Sequence, residues 1–127
     1  MAPLCLVCGM KKKVYHLATC NTNQKILADF DVSEFEVQEI KATPPTEAQV
    51  DEMAKLAGSY EAVFSRRAMK FRQWGLDKME LTEPDYRKYL LEDYTFLKRP
   101  VFVIGDEVFA GSAKKAVEGA KKAAGQA

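Results

Sequence analysis

The order of apolar patterns along the chain predicts an α/β fold built around one small mixed sheet. The first third reads as strand, helix and strand, the middle has helical periodicity, and the last third reads as a hairpin and an amphipathic helix. The predicted order is therefore β-α-β, a helical insertion, and β-β-α. A β-α-β crossover produces parallel strands, and a terminal hairpin adds an antiparallel edge to the same sheet.

The opening segment supplies the first unit of this fold. The short apolar run of residues 14–17 predicts a strand at about residues 12–17, and residues 21–30 carry apolar side chains at helical spacing. Residues 35–40 alternate apolar and polar side chains, which is typical of a half-buried strand. We therefore expect a crossover whose two parallel strands lie centrally in the sheet.

Start and stop signals predict two helices in the middle of the chain. Thr46 is followed by Gln49 three residues later, which fits a capping box, and Gly58 ends this helix. Further along, Thr82 caps a helix with Pro84 in its first turn. Both helices belong to the predicted insertion.

The final segment predicts a hairpin and a helix. Residues 101–104 and 108–109 are apolar and enclose a glycine-containing turn, and Ser112 is placed to cap an alanine-rich helix. The complete order is that of a thioredoxin-like domain with a helical insertion at about residues 46–95.

Length and charge limit the possible classes of function. The chain has 127 residues, enough for one domain, which we assign to residues 11–127 behind a flexible N-terminal extension of residues 1–10. Because 19 basic and 18 acidic residues leave a net charge of +1, no long-range field predicts direct binding to nucleic acid or an anionic membrane. No apolar run reaches the roughly 20 residues of a membrane span, and no secretory signal is evident.

The cysteine content predicts a cytoplasmic protein with reduced thiols. Three cysteines are an odd number, and a domain of this size does not need disulfides to fold. Their spacing relative to the single histidine does not match a metal site. We therefore expect neither a metal nor a bound cofactor.

Cys20 is the candidate nucleophile. It lies between the first predicted strand and a helix that begins near Asn21, where helix amides and the helix dipole favour the reactive thiolate. The lone histidine, His16, lies four residues earlier on the strand and either assists the thiol or is an ordinary core histidine. A buried structural cysteine is the alternative to a reactive one.

Four blocks of the sequence resemble one protein family in their order and spacing. The blocks are residues 15–25 (YHLATCNTNQK), 40–46 (IKATPPT), 64–72 (FSRRAMKFR) and 97–101 (LKRPV). They resemble, in turn, the active-site loop, the entry to the helical lobe, the basic loop and the Arg-Pro pair of the glutaredoxin-coupled arsenate reductase family, which includes the Spx-type transcription regulators. The resemblance covers nearly all of residues 11–124 and implies a thioredoxin-like fold.

The resemblance implies catalytic and binding roles for four residues. Cys20 would be the catalytic cysteine that forms a thiol adduct with the oxyanion, and His16 would be the strand histidine held near it. Arg99 and Arg67 would bind the oxyanion, since a guanidinium group donates two parallel hydrogen bonds and stays charged. An enzyme of the arsenate reductase type is therefore the expected class.

The active-site loop completes the site that the resemblance implies. Pro100 would follow Arg99 as a proline that is typically cis and packs against this loop. Asn23 stands three residues after Cys20, so the Cys-x-x-Cys switch of the Spx-type regulators cannot form. Besides Pro100, the residues that the resemblance assigns to the active-site loop are Asn21, Thr22 and Lys25.

Two positions depart from the family pattern. Arsenate reductases of this type tend to use three arginines around the oxyanion, whereas Ser65 and Gly111 resemble two of those positions here. One lost donor weakens transition-state binding by roughly 3 to 4 kcal/mol. This departure argues against arsenate itself as the substrate.

The absence of a second cysteine in the loop bears on the reductant. If Cys20 is the single redox cysteine, an outside thiol resolves its adduct, and glutathione or a glutaredoxin is the expected reductant. Cys5 or Cys8 in the N-terminal extension is the alternative, as an internal resolving thiol.

Two functions from different classes follow. The first is a thiol-dependent reductase that uses Cys20 on a small oxyanion or a thiol adduct. The second is a non-catalytic, Spx-like regulatory protein that binds a partner such as RNA polymerase and does not require an activated thiol. The reactivity of Cys20 distinguishes the two functions.

Overall fold

The computed structural model describes residues 12–125, and within them the predicted α/β order is confirmed. The predicted extension of residues 1–10, with Cys5 and Cys8, lies outside the described residues. The strands are β1 (Lys12–His16), β2 (Glu36–Glu39), β3 (Val101–Ile104) and β4 (Glu107–Ala110). The helices are α1 (Asn21–Ala28), α2 (Glu47–Ala57), α3 (Met69–Gln73), α4 (Glu83–Glu92) and α5 (Lys114–Ala123). Helices α2 to α4 all lie between β2 and β3 in the chain.

The four strands of residues 12–125 form one mixed sheet in the order β2-β1-β3-β4. Strands β1 and β2 are parallel, with Val14 opposite Val37, whereas β1 and β3 are antiparallel, with Val14 opposite Phe102. The expectation that the parallel strands are both central is wrong. Strand β3 pairs with the other side of β1, and β4 pairs with β3, so both later strands add to the side of β1 away from β2. Strand β2 is therefore an edge strand.

The edge position explains why β2 does not show the expected burial pattern. Phe35 and Ile40, which flank the strand, are buried, but Val37 within it is 46% exposed. An edge strand has a neighbour on one side only, and its side chains are less completely covered.

The sheet is buried on both faces, which produces two hydrophobic clusters. Successive residues of a strand point to opposite faces, so Tyr15 and Val103 pack beneath the helical segment while Val14 and Phe102 pack against α1 and α5. On the second face, the rings of Phe30 and Phe102 stack with their centroids 4.4 Å apart. The continuous apolar run of β3 reflects this double burial.

The helix start signals are confirmed in the helical segment and wrong at the last helix. The Thr46 hydroxyl accepts from the Gln49 amide while the Gln49 side chain accepts from the Thr46 amide, and Gly58 ends α2 with a φ of 101°. Helix α5, by contrast, is preceded by Ala113, and no side chain caps it. Gly111 has a positive φ of 98°, which turns the chain before Ser112. A helix capped by Ser112 would begin at Ala113, whereas the observed helix begins at Lys114.

A short antiparallel pairing joins the basic loop to the segment that enters β3. Phe64 and Leu97 form an isolated β-bridge, the Ser65 amide donates to the Phe96 carbonyl at 2.6 Å, and the Lys98 amide donates to the Val63 carbonyl at 2.9 Å. These bonds hold residues 65–67 beside residues 98–99. No helix among residues 12–125 combines the length and the apolar character needed to cross a membrane.

Candidate active site

A cleft of about 940 Å³ opens where β1 passes into α1, and we call it the thiol cleft. Three parts of the chain surround it: the start of α1, the segment of residues 59–67 that leads into the basic loop, and the two segments just before β3 and just after β4. Its polar and charged lining residues are Cys20, Thr22, Asn23, Ser59, Glu61, Ser65, Arg66, Arg67, Lys98, Arg99 and Ser112. The structure therefore brings together Cys20, Arg67, Arg99 and Thr22 of the residues that the sequence predicted.

Cys20 occupies the position immediately before helix α1, as predicted. Its backbone is extended, with φ of −91° and ψ of 116°, and its carbonyl accepts the first helical hydrogen bond, from the Gln24 amide at 3.0 Å. The side chain is partly exposed in the cleft. The free amide groups of the first helical turn point toward this end of the helix, where they favour negative charge.

Asn23 is a residue of this site that the sequence analysis did not assign to it. Its side chain is 1% exposed. The amide nitrogen Nδ2 donates to Cys20 Sγ at 3.5 Å, and Oδ1 accepts from the Leu17 amide at 3.0 Å. Hydrogen bonding to a charged form stabilises that form. Asn23 therefore both orients the loop and supplies a donor to the sulfur.

Glu39, at the end of β2, holds the loop from its other side. Its carboxylate accepts from the Ala18 amide at 2.9 Å and from the Ala42 amide at 2.7 Å. Burial opposes ionisation, yet these amide donors and the nearby His16 hold the pKa of Glu39 below its ordinary value. The ionised carboxylate thus ties the cysteine loop to the turn after β2.

His16 lies at the end of β1, opposite Glu39 in the parallel register. It is partly buried, its carbonyl accepts from the Ile40 amide at 2.9 Å, and it is not among the residues that line the thiol cleft. Its electrostatic influence falls on Glu39. A direct role of His16 on Cys20 stays a prediction from the family resemblance.

Arg99 and Arg67 line the cleft and retain free hydrogen-bonding capacity. Nη1 of Arg99 donates to the Thr95 carbonyl at 3.3 Å, and the peptide bond between Arg99 and the buried Pro100 is cis, as the resemblance implies. Arg67 is exposed, and its backbone amide donates to Ser65 Oγ at 3.3 Å. Within residues 12–125, no carboxylate pairs with either guanidinium group.

Arg66 also lines the cleft but is already engaged. It forms an ion pair with Glu61, and its Nη2 donates to the Tyr86 hydroxyl at 2.8 Å. The bond to Tyr86 and the carboxylate of Glu61 raise the pKa of Arg66 above its ordinary value. Arg66 therefore serves a surface salt bridge, and its charge is already partnered.

The cleft carries more positive charge than the chain as a whole. Among its lining residues, the four cations include Lys98, which the sequence analysis did not single out, whereas Glu61 is the one carboxylate. The predicted loop residues Asn21 and Lys25 and the proline Pro100 do not line it. Within residues 12–125, no three His, Cys, Asp or Glu side chains meet in a group that could hold a metal ion. The arrangement suits a negatively charged group close to a thiol.

Solved structures with the same fold include a protein named YFFB, an arsenate reductase and an arsenate reductase related protein. The protein YFFB superimposes with a TM-score of 0.73 and 21% identity, covering 87% of this chain and 98% of its own. An arsenate reductase from Vibrio cholerae gives a TM-score of 0.70 and 18% identity, covering 87% and 97%. An arsenate reductase related protein from Brucella melitensis gives 0.64 and 19%, covering 87% and 93%. At these identities, the likeness establishes the thioredoxin-like fold.

The sequence itself carries the family assignment. No curated protein matches the chain significantly. The model of the ArsC family, however, matches residues 15–120, which include Cys20, Arg67 and Arg99. Because this match spans well over half of the sequence, the chain belongs to the ArsC family.

Proposed function

We propose that this protein is a thiol-dependent reductase in which Cys20 is the nucleophile and Arg99 and Arg67 stabilise negative charge on a thiol adduct or a small oxyanion. Glutathione or a glutaredoxin is the proposed reductant. The observation that carries the proposal is the shared cleft. In it, the partly exposed Cys20, whose sulfur accepts a hydrogen bond from the buried Asn23, shares the cleft with Arg67 and Arg99, and neither of these arginines has a carboxylate partner within residues 12–125.

The first proposed reaction is exchange with a mixed disulfide between glutathione and another thiol. The Cys20 thiolate attacks the glutathione sulfur, the disulfide bond breaks, and the other thiol leaves as a thiolate that takes up a proton. A second glutathione thiolate then attacks the Cys20–glutathione disulfide. It releases oxidised glutathione and the Cys20 thiolate, so one glutathione and one mixed disulfide become one free thiol and one glutathione disulfide.

The second proposed reaction is reduction of an oxyanion such as arsenate. The Cys20 thiolate bonds to the central atom and water leaves. A glutathione thiolate then attacks the Cys20 sulfur, the bond from sulfur to the central atom breaks, and the reduced oxyanion leaves with the electron pair. A second glutathione thiolate attacks the resulting Cys20–glutathione disulfide and releases the Cys20 thiolate and glutathione disulfide. Two glutathione thiols supply the two electrons, so arsenate and two glutathione molecules yield arsenite, glutathione disulfide and water. Because Ser65 and Gly111 stand where arginines are expected, we favour the mixed disulfide as substrate over arsenate.

The test measures turnover by the full chain with reduced glutathione and either hydroxyethyl disulfide or arsenate. Glutathione reductase reduces the glutathione disulfide that forms, and the accompanying oxidation of NADPH is the readout. We expect disulfide-dependent turnover, its loss in Cys20→Ser, and a glutathione adduct on Cys20 in the intact mass. The double variant Cys5→Ser/Cys8→Ser should keep the activity, because the resolving thiol is external. A cytoplasmic location, which the cysteine content predicts, would supply the reduced glutathione.

Two results contradict the proposal. If native protein turns over neither substrate and Cys20 forms no adduct, the chain is not a thiol reductase. That result would favour the non-catalytic, Spx-like alternative. If Cys5→Ser/Cys8→Ser abolishes turnover while an adduct on Cys20 still forms, the resolving thiol is internal and the external reductant is wrong.

A further inference from the structure

We infer that Lys98 is a specificity-determining residue of the thiol cleft, whose ammonium group makes Cys20 react preferentially with negatively charged partners. The inference rests on the proposed function in one respect: Cys20 must be a nucleophile. It goes beyond that function by assigning substrate charge preference to a lysine that neither the motifs nor the family resemblance singled out.

The backbone holds Lys98 in a defined position beside the arginines. The Lys98 amide donates to the Val63 carbonyl at 2.9 Å, and the preceding residue, Leu97, forms the β-bridge to Phe64. Residues 63–65 and 96–98 are thus joined by antiparallel backbone hydrogen bonds beside the cleft. Arg67 follows the first of these segments and Arg99 the second, so Arg67, Lys98 and Arg99 all line the cleft that contains Cys20.

Gly111 leaves room for the lysine stem. A Cβ atom at position 111 would lie 3.8 Å from Lys98 Cδ, at ordinary contact distance, and no other described residue beyond its two chain neighbours comes within 4 Å of it. The lysine stem therefore passes over a residue that has no side chain. A longer side chain at position 111 would compete with Lys98 for this part of the cleft, so the two positions are linked.

The Lys98 ammonium group has no acidic partner within 4.0 Å among residues 12–125, unlike several other lysines of the chain. Lys13 pairs with Glu36, and Lys70 pairs with Asp93. The one carboxylate that lines the thiol cleft, Glu61, pairs with Arg66. Lys98 is therefore available to an anionic ligand in the cleft.

The expected consequence is selection by charge. A lysine ammonium group is a compact positive charge with three donors on a flexible stem, so it meets anions of varied shape. Positive charge around a reactive group raises the local concentration of anionic partners and lowers that of cationic ones. Disulfides and thiols that carry carboxylates should therefore react with Cys20 faster than neutral molecules of equal intrinsic reactivity.

The test compares two alkylating reagents on the full chain. Iodoacetate is anionic and iodoacetamide is neutral, and both consume the same thiolate, so the ratio of their rates reports the field at the sulfur. Trypsin releases residues 14–25 as a peptide in which Cys20 is the only cysteine, and mass spectrometry of this peptide follows Cys20 alone. Lys98→Gln should lower the ratio of iodoacetate to iodoacetamide rates by roughly two- to fivefold, and Lys98→Arg should retain it.

The matched control is Lys122→Gln, which removes the same charge from an exposed lysine outside the cleft and should leave the ratio unchanged. Salt should reduce the ratio for the parent protein, since the screening length falls from about 10 Å at 0.1 M to about 3 Å at 1 M. An unchanged ratio in Lys98→Gln, or an equal fall in Lys122→Gln, would overturn the inference while Cys20 remains a nucleophile. Failure of both reagents to modify Cys20 in native protein would contradict the proposed function as well.

Discussion

Asn23 has two contacts that bear directly on how the thiol is presented. Its oxygen accepts from the Leu17 amide in the turn before Cys20, and its nitrogen donates to the sulfur. An amide side chain suits this position because it offers an acceptor and a donor at once. Asn23 therefore both excludes a Cys-x-x-Cys switch and donates a hydrogen bond to the remaining thiol.

The contribution of Asn23 can be measured with Asn23→Asp. The carboxylate keeps an acceptor for the Leu17 amide and is favourable in the first helical turn, but it removes the donor to Sγ and adds negative charge beside it. Because a hydrogen bond to a charged group contributes about 1.5 to 3 kcal/mol, alkylation of native Cys20 by iodoacetamide at neutral pH should slow by at least about tenfold.

Denaturant provides the control for this variant. Unfolded parent and unfolded Asn23→Asp should react at similar rates, since the contact to Sγ exists only in the folded protein. An undiminished native rate would mean that the Asn23 amide does not stabilise the thiolate.

At the scale of elements, the thiol cleft is built where strands and helices end. Cys20 precedes α1, Glu39 ends β2, and Arg99 precedes β3. Glu39 illustrates how one element supports another, because its carboxylate accepts hydrogen bonds from backbone amides in the turns that follow β1 and β2. The position of the cysteine loop therefore depends on a strand that does not itself line the cleft.

Glu39→Gln tests this support. The glutamine side chain has one acceptor oxygen in place of two and presents an NH₂ group to one of the backbone amides, so we expect the free energy of unfolding to fall by roughly 1 kcal/mol. Hydrogen exchange at the Ala18 amide should become faster. The matched control is Glu36→Gln, which makes the same charge change on the same strand, where the carboxylate pairs with Lys13 at 3.1 Å. Equal Ala18 protection in both variants would rule out the support.

At the scale of the whole molecule, ionised carboxylates hold the helical segment together. Asp51 of α2 accepts from Arg87 Nε of α4 at 2.8 Å and from the Tyr60 hydroxyl at 2.7 Å. The Arg87 bond, and then the Tyr60 bond, lower the pKa of Asp51 below its ordinary value of 3.8. Burial opposes ionisation of Asp93, but Lys70 and Thr95 lower its pKa below 3.8 overall.

These lowered pKa values predict loss of stability in acid. A carboxyl group whose pKa is lower in the folded state binds fewer protons folded than unfolded, so its stabilising effect is fully present above about pH 4. The effect is lost as the pH falls through the lower folded pKa. The free energy of unfolding, measured by urea denaturation at a series of pH values, should therefore decrease below about pH 4.

The variant Asp51→Asn isolates one contribution to this acid dependence. It should be less stable than the parent at pH 7 and should approach the parent as the pH is lowered, because the parent loses the same charge. A constant difference at all pH values would show that the ionisation of Asp51 is not coupled to folding.

The order of elements could be predicted because it depends on neighbouring residues. Strand and helix periodicities, the capping box at Thr46 and the glycine that ends α2 are all local signals. The position of β2 at the sheet edge could not be predicted. It depends on the pairing of β1 with β3, which joins residues about 90 apart in the chain. Ser112 failed as a cap because the backbone turn at Gly111 is set by the contacts of the preceding hairpin.

By itself, the sequence determined the fold class, the family and the presence of a thiol at the start of a helix, because each follows from local patterns or from ordered blocks of residues. Only the tertiary structure decided which charged groups surround that thiol. It paired Arg66 with Glu61, left Lys98 and Arg67 without a carboxylate among residues 12–125, and set His16 beside Glu39. The reason is physical: the field at a site is the sum of side chains that folding brings together from distant parts of the chain.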